Sequence, residues 1–162
     1  MNFVDMFSQI EIENDNPWKN TPYENYYLLT PRKKGSFAEK AISCLLTELN
    51  YNVQNPVNTG HDRIVNGYKT EIKFGLTTNK NNNWETIFNH ISINKDWEKI
   101  LFCCINGDLS VRVVQFSRDN LPQILLKNQQ GGKQIQNDDF MINGNKTTQL
   151  MFDEKAEVIW IS

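Results

Sequence analysis

The sequence predicts an α/β domain, a central mixed sheet of four to five strands flanked by α-helices. Three stretches carry that reading. Residues Ser36–Asn50 place Ala38, Ala41, Ile42, Leu45, Leu46 and Leu49 on one helical stripe. Residues 62–74 alternate in type about Asn66-Gly67, a pair suited to the positive-φ positions of a type I′ hairpin turn. Lys99–Ile105, KILFCCI, is a continuous apolar run, as expected of a strand covered on both faces.

The elements follow in order. Residues 1–33 are polar and Asn-rich, with Trp18, Tyr23, Tyr26 and Tyr27 among them. They read as an arm, a dimerisation segment or a wrap over the core, with a short helix near Asn2–Gln9. In the helix that follows, Ser36 is placed as N-cap, and Glu39 three residues on completes an S-x-x-E capping box. Tyr51–Gln54 is a short strand. The hairpin pairs Asp62–Val65 with Tyr68–Phe74, and Gly75–Asn83 is a polar loop. Trp84–Asn94 reads as a helix through the spacing of Trp84, Ile87, Phe88 and Ile91. After Lys99–Ile105, Asn106-Gly107 turns the chain into Asp108–Phe116. Ser117–Leu126 is a turn and short helix, and Gln129–Lys133 a glycine turn. Phe140–Ile142 and Glu157–Ile161 are strands, with a turn at Asn143-Gly144.

A chain of 162 residues suits one domain with one core. No apolar run approaches a membrane span, and the first residues lack a signal-peptide pattern. The three cysteines are an odd number without CxxC spacing, which points to buried small hydrophobes in a reducing, cytoplasmic setting. The net charge is −2, yet Arg32, Lys33, Lys34 and Lys40 cluster ahead of the hairpin. A basic patch on a near-neutral chain fits nucleic-acid contacts confined to one cleft; a solvated helix start is the alternative.

The hairpin carries the chemistry. If Val65 pairs with Tyr68, counting outward sets Asp62 across from Glu71, with Cβ atoms about 4.5–5.5 Å apart. Two like charges there call for a neutralising partner, and a divalent cation would serve. Glu71 and Lys73 share a strand face by alternation.

Asp62, a nine-residue step and Glu71-Ile72-Lys73 resemble the PD-(D/E)XK nuclease superfamily, the fold of most type II restriction endonucleases. The Pro that precedes the Asp in that pattern is absent, since Gly60 and His61 stand before it. The resemblance spans residues 34–135 and implies a restriction-endonuclease-like core. The chain then divides into the 1–33 arm, a 34–135 catalytic core and C-terminal strands at 136–162. It implies a Mg²⁺-dependent endonuclease, with Mn²⁺ able to substitute, that cuts double-stranded DNA at specific sequences and leaves 5′-phosphates. Asp62, Glu71 and the Ile72 carbonyl would hold the metal, and Lys73 would assist the attacking water. Such nucleases often carry a further Glu on the first core helix, and Glu39 matches it. Metal-site and cap roles for Glu39 both stay open. Lys34, Ser36, Thr77, Asn89, His90 and Lys133 are candidate DNA contacts. A homodimer is expected, with a cognate DNA methyltransferase that is not physically bound. A junction resolvase, a repair nicking enzyme and a non-catalytic DNA-binding protein on the same fold are the alternatives.

Overall fold

The computed structural model describes residues 16–80, 83–121, 133–136 and 139–162. The possible helix near Asn2–Gln9 lies outside them. The chain forms two compact units, residues 1–34 and 35–162. Within the first, the Trp18 and Tyr23 rings meet edge to face at 5.6 Å, and the short helix α1 spans Glu24–Tyr27.

Helix α2 spans Pro31–Glu48. It begins five residues before the expected cap. Proline at the first helical position explains this, because its missing N–H would have no partner there and its φ is already helical. Ser36 is therefore an exposed residue inside the helix, and no capping box forms. Ala38, Ile42 and Leu46, at i, i+4 and i+8, are its buried stripe.

Six strands build the main sheet, in the order β1-β2-β3-β7-β8-β11. They are β1 (Val53–Gln54), β2 (Arg63–Val65), β3 (Tyr68–Leu76), β7 (Lys99–Ile105), β8 (Val111–Ser117) and β11 (Glu157–Ile161). The sheet is mixed, as expected, but larger than four to five strands. β3 and β7 run parallel, and every other neighbour is antiparallel. The hairpin register is the expected one, Val65 opposite Tyr68, with positive φ at both Asn66 and Gly67.

The largest departure is at 83–94. Instead of a polar loop and a helix, the chain forms strands β4 (Thr78–Lys80), β5 (Asn83–Glu85) and β6 (Ile87–Ser92). β6 joins β10 (Asp139–Asn143) and β9 (Lys133–Gln136) in a second, three-stranded sheet. In its ladder Phe140 faces Ile91 and Ile142 faces Phe88, so the pair Asn89-His90 stands opposite Met141 alone. That is a β-bulge, with His90 at φ +53°. The extra residue brings Phe88 and Ile91 to the same buried side. Their i, i+3 spacing, read as helical, is the spacing of a bulged strand.

Two turns also differ. The β7–β8 connection runs over Asn106–Ser110, with positive φ at Leu109, so β8 starts at Val111 and not Asp108. Gly144, at φ +55°, does not end a turn but opens helix α3 (Gly144–Met151), which the sequence reading missed. Arg118–Asn120 form one turn of 3-10 helix; the rest of the expected 117–126 helix and residues 129–132 lie outside the described residues.

The core lies between the main sheet and the second one. Ile100, Phe102 and Cys104 of β7, with Val114 and Phe116 of β8, meet Phe88, Ile91, Phe140, Ile142, Leu150 and Met151. Cys103 and Cys104 are both buried, small apolar fillers as expected, and burial pushes both thiols up.

Candidate functional site: a buried ion pair and two further carboxylates

Paired residues of neighbouring strands share a sheet face. Glu71 pairs with Ile100, Lys73 with Phe102 and Gly75 with Cys104. Glu71, Lys73 and Gly75 therefore lie on the face that builds the main core, while Thr70 and Ile72 lie on the other with Leu101. Gly75 is where the second sheet comes close. A Cβ there would stand 2.6 Å from the Thr86 methyl and 3.3 Å from the Ile87 carbonyl oxygen.

Glu71 is only 3% exposed. Its Oε1 accepts a charged contact from Lys73 Nζ at 2.7 Å. Among the described residues this is the most buried ion pair; both partners lie in β3, two residues apart. Removing two charges from water costs several kcal/mol unless they pair closely, so the pair is strongly constrained.

Asp62 departs from the regular ladder. β2 and β3 pair as far as Arg63 with Thr70. Beyond that, the Asp62 N–H donates to the Thr70 carbonyl at 3.0 Å, and the Ile72 N–H donates to Asp62 Oδ2 at 2.7 Å. The carboxylate stands in for a missing ladder acceptor. It is held beside the Glu71–Ile72 peptide, as expected in broad terms, but by an amide. The expected need for a cation to neutralise opposed charges is thus corrected: Lys73 already balances Glu71, and a backbone N–H already serves Asp62.

Glu39 is no cap. Its Oε2 accepts from Arg63 Nη1 at 3.1 Å. Arg63 Nε donates to Ser43 Oγ at 3.0 Å, and Nη1 also donates to the Asp62 carbonyl at 2.6 Å. Burial pushes the Glu39 carboxyl above its ordinary value, and the negative charges of Asp62 and Glu71 add to this against the pull of Arg63. Glu39 is therefore within electrostatic reach of both other carboxylates. Sequence reasoning missed Arg63 and Ser43. The signal was present: Glu39 and Ser43 are one turn apart on a helix, and Arg63 follows Asp62 directly. An open groove of about 660 Å³ runs beside this cluster, lined in part by Lys40, Ser43, Gln54, Asn55 and Arg63.

The remaining sequence candidates do not join the cluster. Thr77 is buried and its hydroxyl donates to the Ile105 carbonyl, so it is structural. Asn89 and His90 are exposed on the β6 bulge and not on a helix; His90 Nδ1 lies 3.6 Å from an Asp139 carboxylate oxygen. Lys34 stacks its ammonium on the Tyr27 ring at 5.1 Å within the first unit. Ser36 is exposed on α2, and Lys133 opens β9, its side chain outside the described residues. His61, buried beside Asp62, is a loop fastener: its ring meets the Val57 N–H at 3.4 Å and the Asp96 carbonyl at 3.1 Å.

Among the described residues, no three His, Cys, Asp or Glu side chains converge as a protein-only metal cage. No helix among them is long and apolar enough to cross a membrane. Comparison with known proteins gives no matching family model and no matching curated protein. Among solved structures, the chain is similar to a bacterial homing endonuclease, at 14% identity and a TM-score of 0.40, over 56% of this chain and 71% of the other.

Proposed function

We propose that the chain is a DNA nuclease that hydrolyses phosphodiesters at Asp62, Glu71 and Lys73. The observation that carries this reading is the buried Glu71–Lys73 pair at 2.7 Å, set beside a carboxylate pinned to the Ile72 amide. A passive sheet would fill those positions with apolar residues at no cost in solvation.

The donor set suits a hard cation. Asp62 Oδ1 and Glu71 Oε2 have no partner among the described residues, and Glu39 adds a third carboxylate within electrostatic reach. Mg²⁺ takes oxygen ligands, retains several waters and needs no all-protein cage. Asp62, Glu71 and the Ile72 carbonyl would hold it, with Mn²⁺ able to replace it. When bound, the ion supplies charge neutralisation at the phosphate and a more acidic water.

The chain's own residues do the rest. Lys73 has three ammonium hydrogens, and Glu71 takes one. The other two can donate to a phosphate oxygen or orient the attacking water, a preorganised charge where negative charge develops. Glu71 holds that ammonium in place, and Asp62 is held by the Ile72 amide. The buried sheet behind them keeps the set rigid.

Within this reading, the finer proposal is a type II restriction endonuclease, a homodimer cutting specific double-stranded sites to leave 5′-phosphates. A separate methyltransferase would protect host DNA. A non-catalytic DNA-binding protein is the second reading. It is favoured by one observation: both site carboxylates already have partners within the protein.

The test is incubation of purified protein with plasmid and phage DNA, with Mg²⁺ or with EDTA, beside Lys73→Ala. Discrete Mg²⁺-dependent fragments, absent for the variant, support the restriction enzyme. A smear, or cutting of branched substrates alone, moves the reading to a general or structure-specific nuclease. Tight binding without cleavage supports the binding protein.

A further inference from the structure

We propose that Arg63 is the positioning residue of this site, holding Glu39 and the Asp62 backbone in one frame. The inference rests on the nuclease reading for its catalytic consequence, but its structural content stands apart. One guanidinium makes three contacts that converge from two elements: Ser43 Oγ at 3.0 Å and Glu39 Oε2 at 3.1 Å on α2, and the Asp62 carbonyl at 2.6 Å on the hairpin. Its side chain is 15% exposed, so the contacts are largely shielded from water. A rigid planar fork suits this task, and lysine, with one nitrogen, cannot make all three contacts together.

Asp62 needs such a support. It lies past the last regular pair of β2 and β3, where the ladder no longer fixes it. Its carboxylate must still meet the Ile72 N–H. Arg63 grips the carbonyl of that same residue. It also draws in Glu39, which three negative carboxyls would otherwise push out toward solvent. Arg63 touches no reacting atom in this account. It acts through Glu39 and Asp62.

The experiment has two readouts on wild type, Arg63→Ala, Arg63→Lys, Glu39→Gln and the Arg63→Ala/Glu39→Gln pair. The first is single-turnover cleavage with Mg²⁺. Residues that act as a unit are non-additive, so Arg63→Ala should slow cleavage by about 10-fold or more in wild type and distinctly less in Glu39→Gln. Arg63→Lys should restore little. Fully additive losses, or full rescue by Lys, would overturn the proposal. The second readout is amide hydrogen exchange at Ile72, which needs no activity. Arg63→Ala should lower its protection while amides of β7 and β8 keep theirs. Unchanged protection at Ile72 refutes the positioning role. If wild type does not cleave DNA at all, the nuclease reading fails, and the exchange at Ile72 still decides the role of Arg63.

Discussion

β3 and β7 lie side by side, parallel and residue for residue, yet they are built on opposite principles. β7 places Ile100, Phe102 and Cys104 into the core and is buried from Ile100 to Ile105. β3 places Glu71, Lys73 and Gly75 at the paired positions. Glu71 is nearly as deeply buried as Ile100, at 3% exposed against 0%. The same face of one sheet thus changes from hydrocarbon to a bound ion pair across a single strand boundary. β7 is explained by packing alone. β3 is not, because a hydrophobic pair at 71 and 73 would remove the desolvation cost and extend the core. The difference marks where the fold gives up stability for chemistry.

That contrast can be broken by mutation, and the largest effect expected is on activity. Lys73→Ala should reduce DNA cleavage about 10²–10³-fold, the usual loss when one preorganised charge donor is removed. Gel analysis of supercoiled plasmid checks it. On the other strand, Ile100→Ala should cost about 2–5 kcal/mol of stability through lost burial and a cavity, read by urea denaturation. Residual cleavage should then follow only the fraction folded. Gly75→Ala probes the boundary itself. Its Cβ would enter the space of the Thr86 methyl, and a loss of about 1–3 kcal/mol is expected in the same denaturation series.

The smallest effect sharpens the electrostatics. In the fold, burial and the neighbouring carboxylates raise the Glu39 value, so the folded protein holds this proton to higher pH than the unfolded chain. The stabilising contribution is present at low pH and is lost as pH rises through the folded value. At neutral pH the ionised group detracts from stability. Glu39→Gln should therefore raise the melting temperature slightly at pH 7.5, by less than about 1 kcal/mol for a group this exposed. The gain should fade as pH falls below the ordinary glutamate range, where both states are protonated. A gain that grows on acidification would reverse the sign of this argument.

The hairpin, the parallel-paired core strand and the Asp62, Glu71, Lys73 set were legible because each rests on a local rule. Asn66-Gly67 has few options, KILFCCI is too apolar to be exposed, and strand alternation fixes who shares a face. What was not legible depended on distant partners. Phe88 and Ile91 share a side because Met141, about 50 residues on, faces a two-residue bulge in β6. Ser36 looked like a cap only because Pro31 was not weighed as a helix start. Glu39 could be assigned only once Arg63, remote in sequence, was seen to hold it. Lys133 and the 129–132 turn remain sequence expectations.

The central claim is that Glu71 and Lys73 are kept for chemistry and not for stability. Single variants blur it, since Lys73→Ala leaves a buried, unpaired Glu71 and costs stability as well. The direct measurement is therefore made on the Glu71→Met/Lys73→Leu double variant, with Mg²⁺-dependent plasmid cleavage and urea denaturation on one preparation. The account predicts a folded protein, as stable as wild type or more so, that no longer cuts DNA. A variant that is markedly less stable, or one that still cuts, would contradict it.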